Sequence, residues 1–215
     1  MMKTNLLLII ALLLVFFNVS AQNDTHFGLK GAMNLAGLSG VELDDGYEKS
    51  IRMAFGGGLF LNKELTPKTS IQIEAMYSAQ GVELESDENP DELYRLDYLS
   101  VPILYRYHFE EKGSLSVQFG VQPAMLLNSQ VKVQGGDEEG VFDFDEYYEG
   151  TDAEVNGFDV GLTAGFGFGF GRFSSITLTY TYGLMEVFKG NDAPQGAKTS
   201  LVQFSLAIPL TSNTY

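Results

Sequence analysis

The sequence predicts an all-β protein, an eight-stranded antiparallel up-and-down transmembrane β-barrel with long extracellular loops and short periplasmic turns. Three observations predict it. Apolar and polar residues alternate strictly over long runs, the connections between those runs alternate between long and short, and the chain opens with a secretory leader. Alternation at period two places successive side chains on opposite faces of a strand. Runs of this length exceed the roughly 5–6 residues of an ordinary soluble strand.

The leader is read first because it sets the solvent in which the rest folds. Lys3 provides a positive start, Leu6 to Phe17 an apolar stretch, and Val19-Ser20-Ala21 a small-residue cleavage site, so residues 1–21 are expected to be removed and residues 22–215 to form the barrel domain. Twelve apolar residues are too few for a spanning helix, which needs about 20. The chain has no cysteine, which excludes disulfides and an acylated lipoprotein N-terminus. Its net charge of −15 argues against nucleic acid as a partner, because phosphate binding requires a cationic surface. No later segment approaches spanning-helix length, so only strands remain to cross a membrane.

The strands follow in order. His26–Leu35 and Ile51–Leu61 are the first two. From Ser70, Ile71, Ile73, Ala75 and Tyr77 oppose Gln72, Glu74, Met76 and Ser78; Tyr98–Phe109 comes fourth. From Ser114, Leu115, Val117, Phe119 and Val121 oppose Ser116, Gln118, Gly120 and Gln122. In Phe158–Phe170 the apolar face alternates with Gly157, Asp159, Gly161, Thr163, Gly165, Gly167 and Gly169. From Ser175, Ile176, Leu178, Tyr180, Tyr182 and Leu184 oppose serine, threonines and glycine, and Thr199–Ile208 completes eight. Connections at about 36–50, 82–97, 128–154 and 187–198 are long, the first three acidic; those at 62–69, 110–113 and 171–174 are short and carry Lys63, Lys68, Lys112 and Arg172. An outer-membrane barrel has this asymmetry, with both termini in the periplasm. Within 128–154, Val131-Lys132-Val133 and Phe142-Asp143-Phe144-Asp145 alternate as well. An extension of strands five and six beyond the membrane is preferred to a ten-stranded barrel, which would place Asp143 and Asp145 in a small lumen.

Two stretches resemble a known family. Phe27-Gly28-Leu29-Lys30-Gly31-Ala32-Met33-Asn34-Leu35, following Ser20-Ala21-Gln22, looks like the opening of the PorT-type outer-membrane β-barrel family of Bacteroidota. Leu96-Asp97-Tyr98-Leu99-Ser100-Val101-Pro102-Ile103-Leu104-Tyr105-Arg106-Tyr107 is similar to that family's strand motif. The resemblance spans essentially the whole mature chain and implies the same fold and compartment. Its name-giving member is associated with gingipain secretion, which makes a secretion-associated accessory role one expectation.

The glycine-phenylalanine run Gly165–Gly171 superficially matches a phosphate loop, but no helix follows it, and a strand whose lumen-facing glycines make room for other side chains is the better reading. The alternation turns Lys30, Arg52, Glu74, Arg106, His108 and Asp159 inward. A small barrel is just wide enough for side chains to fill, so Lys30, Arg52, Glu74, Arg106 and Asp159 are expected to form a neutralising network that plugs the lumen, with Arg52 and Glu74 paired. A small solute channel is the alternative. A lipid-modifying enzyme would need a serine beside a histidine; His26 and His108 both fall at the periplasmic rim with no serine motif, so no catalytic residue and no cofactor is expected. The longest loop offers Asp137, Glu138, Glu139, Phe142, Asp143, Phe144, Asp145, Tyr147 and Tyr148 as a contact surface for a protein partner or divalent cation. Asp143 and Asp145 have calcium-loop spacing, but Tyr147 follows them. Tyr77, Tyr94, Tyr98, Tyr180, Tyr182, Phe27, Tyr107, Phe109 and Phe173 are expected as interfacial aromatics. The reading is therefore a monomeric, non-catalytic barrel in outer-membrane lipid.

Overall fold

The computed structural model describes residues 25–40, 48–85, 90–110, 114–135, 139–170, 174–190 and 196–210; the expected leader, Lys112, Arg172, Phe173, Asp137 and Glu138 lie outside the described residues. The strands in chain order are β1 (Thr25–Ser39), β2 (Glu48–Ser50), β3 (Arg52–Thr66), β4 (Thr69–Glu85), β5 (Asp91–Ser100), β6 (Ile103–His108), β7 (Leu115–Gln134), β8 (Gly140–Asp143), β9 (Glu154–Val155), β10 (Phe158–Phe170), β11 (Ser174–Glu186), β12 (Phe188–Lys189) and β13 (Lys198–Pro209), with one short helix, α1 (Phe144–Tyr147).

Eight of these positions form a closed antiparallel ring. β1 pairs with β3, β3 with β4, β4 with both β5 and β6, those two with β7, β7 with β10, β10 with β11, β11 with β13, and β13 returns to β1 from Gly28↔Pro209 to Ser39↔Lys198. Closure matters because lipid offers no partner to a free strand edge. β5 and β6 are one barrel strand interrupted at Val101-Pro102. Proline has no N–H to give to the ladder, yet the ring stays sealed: Glu74 N donates to Pro102 O at 3.0 Å and Val101 N to Pro123 O at 2.8 Å.

The pattern of burial is inverted relative to a soluble protein. Phe55, Phe119, Leu162, Phe166, Leu178 and Phe204 are exposed on the outer face, while Lys30, Asn34, Gln72, Glu74, Arg106 and Gln118 are buried inside. The run Gly165–Phe170 lies within β10 as strand.

The end of the ring carrying the long connections differs from the sequence expectation. The 82–97 segment is not a loop: β4 continues to Glu85 and β5 begins at Asp91, paired from Met76↔Ser100 to Leu84↔Glu92. β7 runs on to Gln134 between β5 and β8, whereas β10 meets β7 only from Phe158↔Met125. Strand five thus extends beyond the ring and strand six does not, and a β7–β8 hairpin forms without adding to the eight. The physical reason is a second core. Val82, Leu84, Tyr94, Leu96, Tyr98, Val131, Val133, Phe144 and Phe188 bury together with Ala153, Val187 and Ala197 above the lumen. Acids at Glu83, Asp91 and Glu92 obscure this alternation in the sequence.

Candidate functional site

The lumen is built from side chains that reach across strands. Lys30 on β1 stands opposite Gly58 of β3, and a Cβ at Gly58 would lie 1.9 Å from Ala75 O, so β1 and β4 come together over a strand with no side chain in the way. Lys30 Nζ thereby donates to both Glu74 oxygens, at 2.7 and 2.8 Å, with both side chains almost fully buried. Gln72 Nε2 adds a bond to Glu74 Oε1 at 2.6 Å, and Asn62 Nδ2 donates to Gln72 Oε1 and Ser70 Oγ at 3.3 and 3.1 Å. On β6, the strand next to β4, Arg106 Nε and Nη2 both donate to Gln118 Oε1 of β7, at 3.1 and 2.9 Å. Burying an ion pair is tolerable when further hydrogen bonds satisfy its remaining atoms, as they do here.

Higher in the lumen Asp159 accepts from Thr199 Oγ1 at 2.6 Å and from the backbone N–H groups of Val160 and Met185 at 2.7 and 3.3 Å. Asn34 Nδ2 donates to Ala79 O and Ser78 Oγ, and its Oδ1 accepts from Gln203 Nε2 at 3.0 Å. The space left beside Asp159 is about 10 Å³, lined by Gln80, Tyr98, Gln122, Thr181 and Thr199. That is room for about one water.

Arg52 departs from the expectation. It does not meet Glu74, whose partner is Lys30, and its guanidinium donates instead to Gln80 O at the upper end of the wall. Its charged neighbours there are Arg95, Asp97 and Glu83. The register explains the difference: Glu74 stands opposite Phe60, eight residues along β3 from Arg52. At the lower rim His26 Nε2 lies 3.5 Å from Glu64 Oε1, and Gln118 Oε1 is taken by Arg106.

The longest loop is also revised. Phe144 is buried, not a contact residue: its ring stacks on Phe188 at 5.5 Å and meets a tilted Tyr148 ring at 4.6 Å. Tyr147 and Tyr148 are half-buried, with Tyr147 Oη donating to Glu92 Oε1 at 2.8 Å and Tyr94 and Tyr148 sharing a hydroxyl contact of 2.8 Å. Tyr94 Oη donates to Glu92 Oε2 at 2.6 Å, and burial, with Tyr148 and Glu92 adjacent, pushes the Tyr94 phenol well above its ordinary range. Tyr94 and Tyr98 are therefore core residues rather than interfacial anchors, because they share the inward face with Leu96 and Ser100. Phe27, Tyr77, Tyr107, Phe109 and Tyr180 do face outward. Of the residues expected as contacts, Glu139, Asp143 and Asp145 are exposed and Phe142 partly so, beside the exposed Val141, Glu146 and Glu149. Among the described residues no three His, Asp or Glu side chains converge as a metal site. The sequence missed the Phe144–Phe188 contact, whose only signal was an apolar pair flanking the sixth and seventh strands.

No curated protein sequence matches the chain. Among solved structures it is similar to Neisserial surface protein A (11% identity, 85% of this chain and 96% of that chain covered, TM-score 0.48). It is also similar to the attachment invasion locus protein Ail of Yersinia pestis in complex with the heparin analogue sucrose octasulfate (12%, 85% and 95%, 0.45) and to OprG from Pseudomonas aeruginosa (13%, 86% and 91%, 0.42). The family model for the outer membrane protein beta-barrel domain matches residues 20–189, and with the closed eight-stranded ring this places the chain in that family, as a protein of the outer membrane.

Proposed function

We propose that this barrel is non-catalytic and non-conducting, inserted after removal of its leader as a monomer, and that it acts through its long-loop rim as a surface for an extracellular protein partner or divalent cation. The observation that carries the reading is the filling of the lumen: the Lys30–Glu74 and Arg106–Gln118 layer, the Asn34 and Asp159 layer above it, and the aromatic cap above both. A pathway for solutes needs a continuous wet column, and the space beside Asp159 holds about one water. The four lumen charges Lys30, Arg106, Glu74 and Asp159 cancel formally, which removes the field that a selective ion pore would use. The resemblance to the PorT-type family of Bacteroidota supports a secretion-associated accessory role as the specific form of this function, with Glu139, Asp143 and Asp145 on the exposed edge of the cap as its contacts. Loops carry function more often than the scaffold that holds them.

Purified protein reconstituted in planar bilayers should show no steady conductance, and an epitope tag at Gly140 should be reachable by antibody on intact cells. Stable single-channel steps in the wild type would replace this reading with a small solute channel. A tag reached only after permeabilisation would invert the orientation and remove the rim as a contact surface.

A further inference from the structure

The barrel wall opens between β3 and β4 beside its outer rim. β3 and β4 pair from Thr66↔Thr69 to Gly56↔Ser78, and the ladder then lapses over Ala79–Val82 until β2 takes the same edge of β4 from Ser50↔Glu83 to Glu48↔Glu85, while β3 continues beside β1 to Arg52 and β4 beside β5 to Leu84. Ladder positions left open there are taken by side chains: Asn34 Nδ2 donates to Ala79 O at 2.9 Å and the Arg52 guanidinium to Gln80 O. Next to the break Gly81 has φ +141°, and a Cβ there would sit 1.9 Å from Tyr94 O and 3.1 Å from Arg52 Nη1. Gly81 is also the direct cross-strand partner of Arg95. A bare backbone position thus lies between two of the four arginines in the chain.

Depth gives this pair a ligand. On the outer face of β5 and β6, Ile103 and Tyr105 are exposed within the apolar band, and Tyr77, exposed and paired with Leu99, marks its upper edge. Asp97 and Arg95 follow immediately above on the same face, at the level where an aromatic girdle meets lipid headgroups. Ile51, Met53 and Phe55 stand exposed alongside, so the surface beside the guanidiniums is acyl-chain surface. Asp97 and Glu83 flank the arginines, but Asp97 is engaged by Asn128 Nδ2 at 3.4 Å and by the Tyr77 hydroxyl. Arg95 Nε is buried and has no hydrogen-bond partner among the described residues. Arg95 as a whole is only half-buried, and a guanidinium at headgroup depth has one abundant acceptor of matching geometry, a phosphate oxygen.

We propose that the break between β3 and β4 is a binding site for a phosphate-bearing lipid of the outer leaflet, with Arg52 and Arg95 holding the phosphate and Ile51, Met53 and Phe55 its acyl chains. The proposal deepens the membrane location without depending on the plugged lumen, so conductance data leave it untouched.

Native mass spectrometry of the full barrel, released from nanodiscs containing equal phosphatidylglycerol and phosphatidylcholine, tests it. Wild type should retain phosphatidylglycerol preferentially. R52Q/R95Q, with unchanged heat-modifiable gel migration, should lose that preference by roughly tenfold, the loss of about one charge-assisted contact. R95Q alone, which leaves the Arg52–Gln80 contact in place, should lose part of it and serves if the double variant fails to fold. K63Q, at the opposite rim, should change nothing. Equal retention of both lipids by wild type, an unchanged preference in R95Q, or displacement by excess soluble glycerol phosphate would each overturn the lipid site, the last by reassigning it to a soluble phosphate compound.

Discussion

The two halves of the interior obey opposite rules. In the membrane-spanning half the inward positions are Lys30, Gln72, Glu74, Arg106 and Gln118, and the outward positions are phenylalanine, leucine and isoleucine. In the cap the inward positions are Val82, Leu84, Tyr94, Leu96, Val131 and Val133, and the outward positions include Glu83, Arg95 and Lys132. The same strands, β4, β5 and β7, carry both patterns, exchanging them within a few residues near Tyr98. The lesson is that the solvent outside the wall sets the chemistry inside it. Where lipid covers the outer face, the apolar surface is already accommodated and the interior is free to be polar, provided each group is hydrogen-bonded. Where the strands rise into water, the hairpins must bury apolar side chains inward as any soluble sheet does.

If the lower half is held by a buried pair, Glu74→Ala has the largest effect. It leaves Lys30 charged without a partner, and we expect a loss on the order of 3–5 kcal/mol in urea unfolding from lipid vesicles. Replacing both members, Lys30→Met with Glu74→Leu, should recover most of that loss; failure to recover would mean that the pair does more than neutralise itself. Phe144→Ala should cost about 3 kcal/mol, with the loss confined to the cap. Hydrogen exchange and proteolysis near β8 and α1 should rise while heat-modifiable migration is retained, and a lost barrel would show that the two halves are one cooperative unit.

The cap is also where pH separates the halves. The Tyr94 phenol is raised in the folded state, so the stability it confers is complete below the ordinary phenol pKa of about 10 and declines as pH rises above that value. Ultraviolet titration should find a tyrosine that resists ionisation until the cap opens, and Tyr94→Phe should remove that signal. Tyr147→Phe, which deletes the donor to Glu92 Oε1, should cost about 1.5 kcal/mol, a charged hydrogen bond made in partial exposure. Asp143→Asn on the exposed edge should change stability by less than about 0.5 kcal/mol, so a larger shift would mean that the rim is part of the cap's structure.

Periodicity of side chains is a local property, and the local properties were legible. Alternation along Phe158–Phe170 and Ser175–Leu184, the alternation of long and short connections, and the scarcity of helix-length apolar runs lead to eight strands without knowledge of any contact. The inward identity of Lys30, Glu74, Arg106 and Asp159 follows from the same parity. Strand ends were less legible because acids interleave with the apolar positions of the cap, so 82–97 reads as an acidic connection although Val82 and Leu84, then Tyr94 and Leu96, alternate.

Contacts between strands are a different kind of information. Arg52 and Glu74 look like neighbours because their strands are adjacent, but register sets them eight positions apart, and the partner Glu74 finds is Lys30, two strands away across Gly58. Phe144 reads as a loop aromatic until Phe188, 44 residues later, is folded onto it. The break between β3 and β4 has no sequence signature at all, since each strand still alternates correctly against its other neighbour. A period-two pattern specifies which face a residue occupies; which residue stands across from it depends on stagger, closure and the places where glycine lets one strand reach past another.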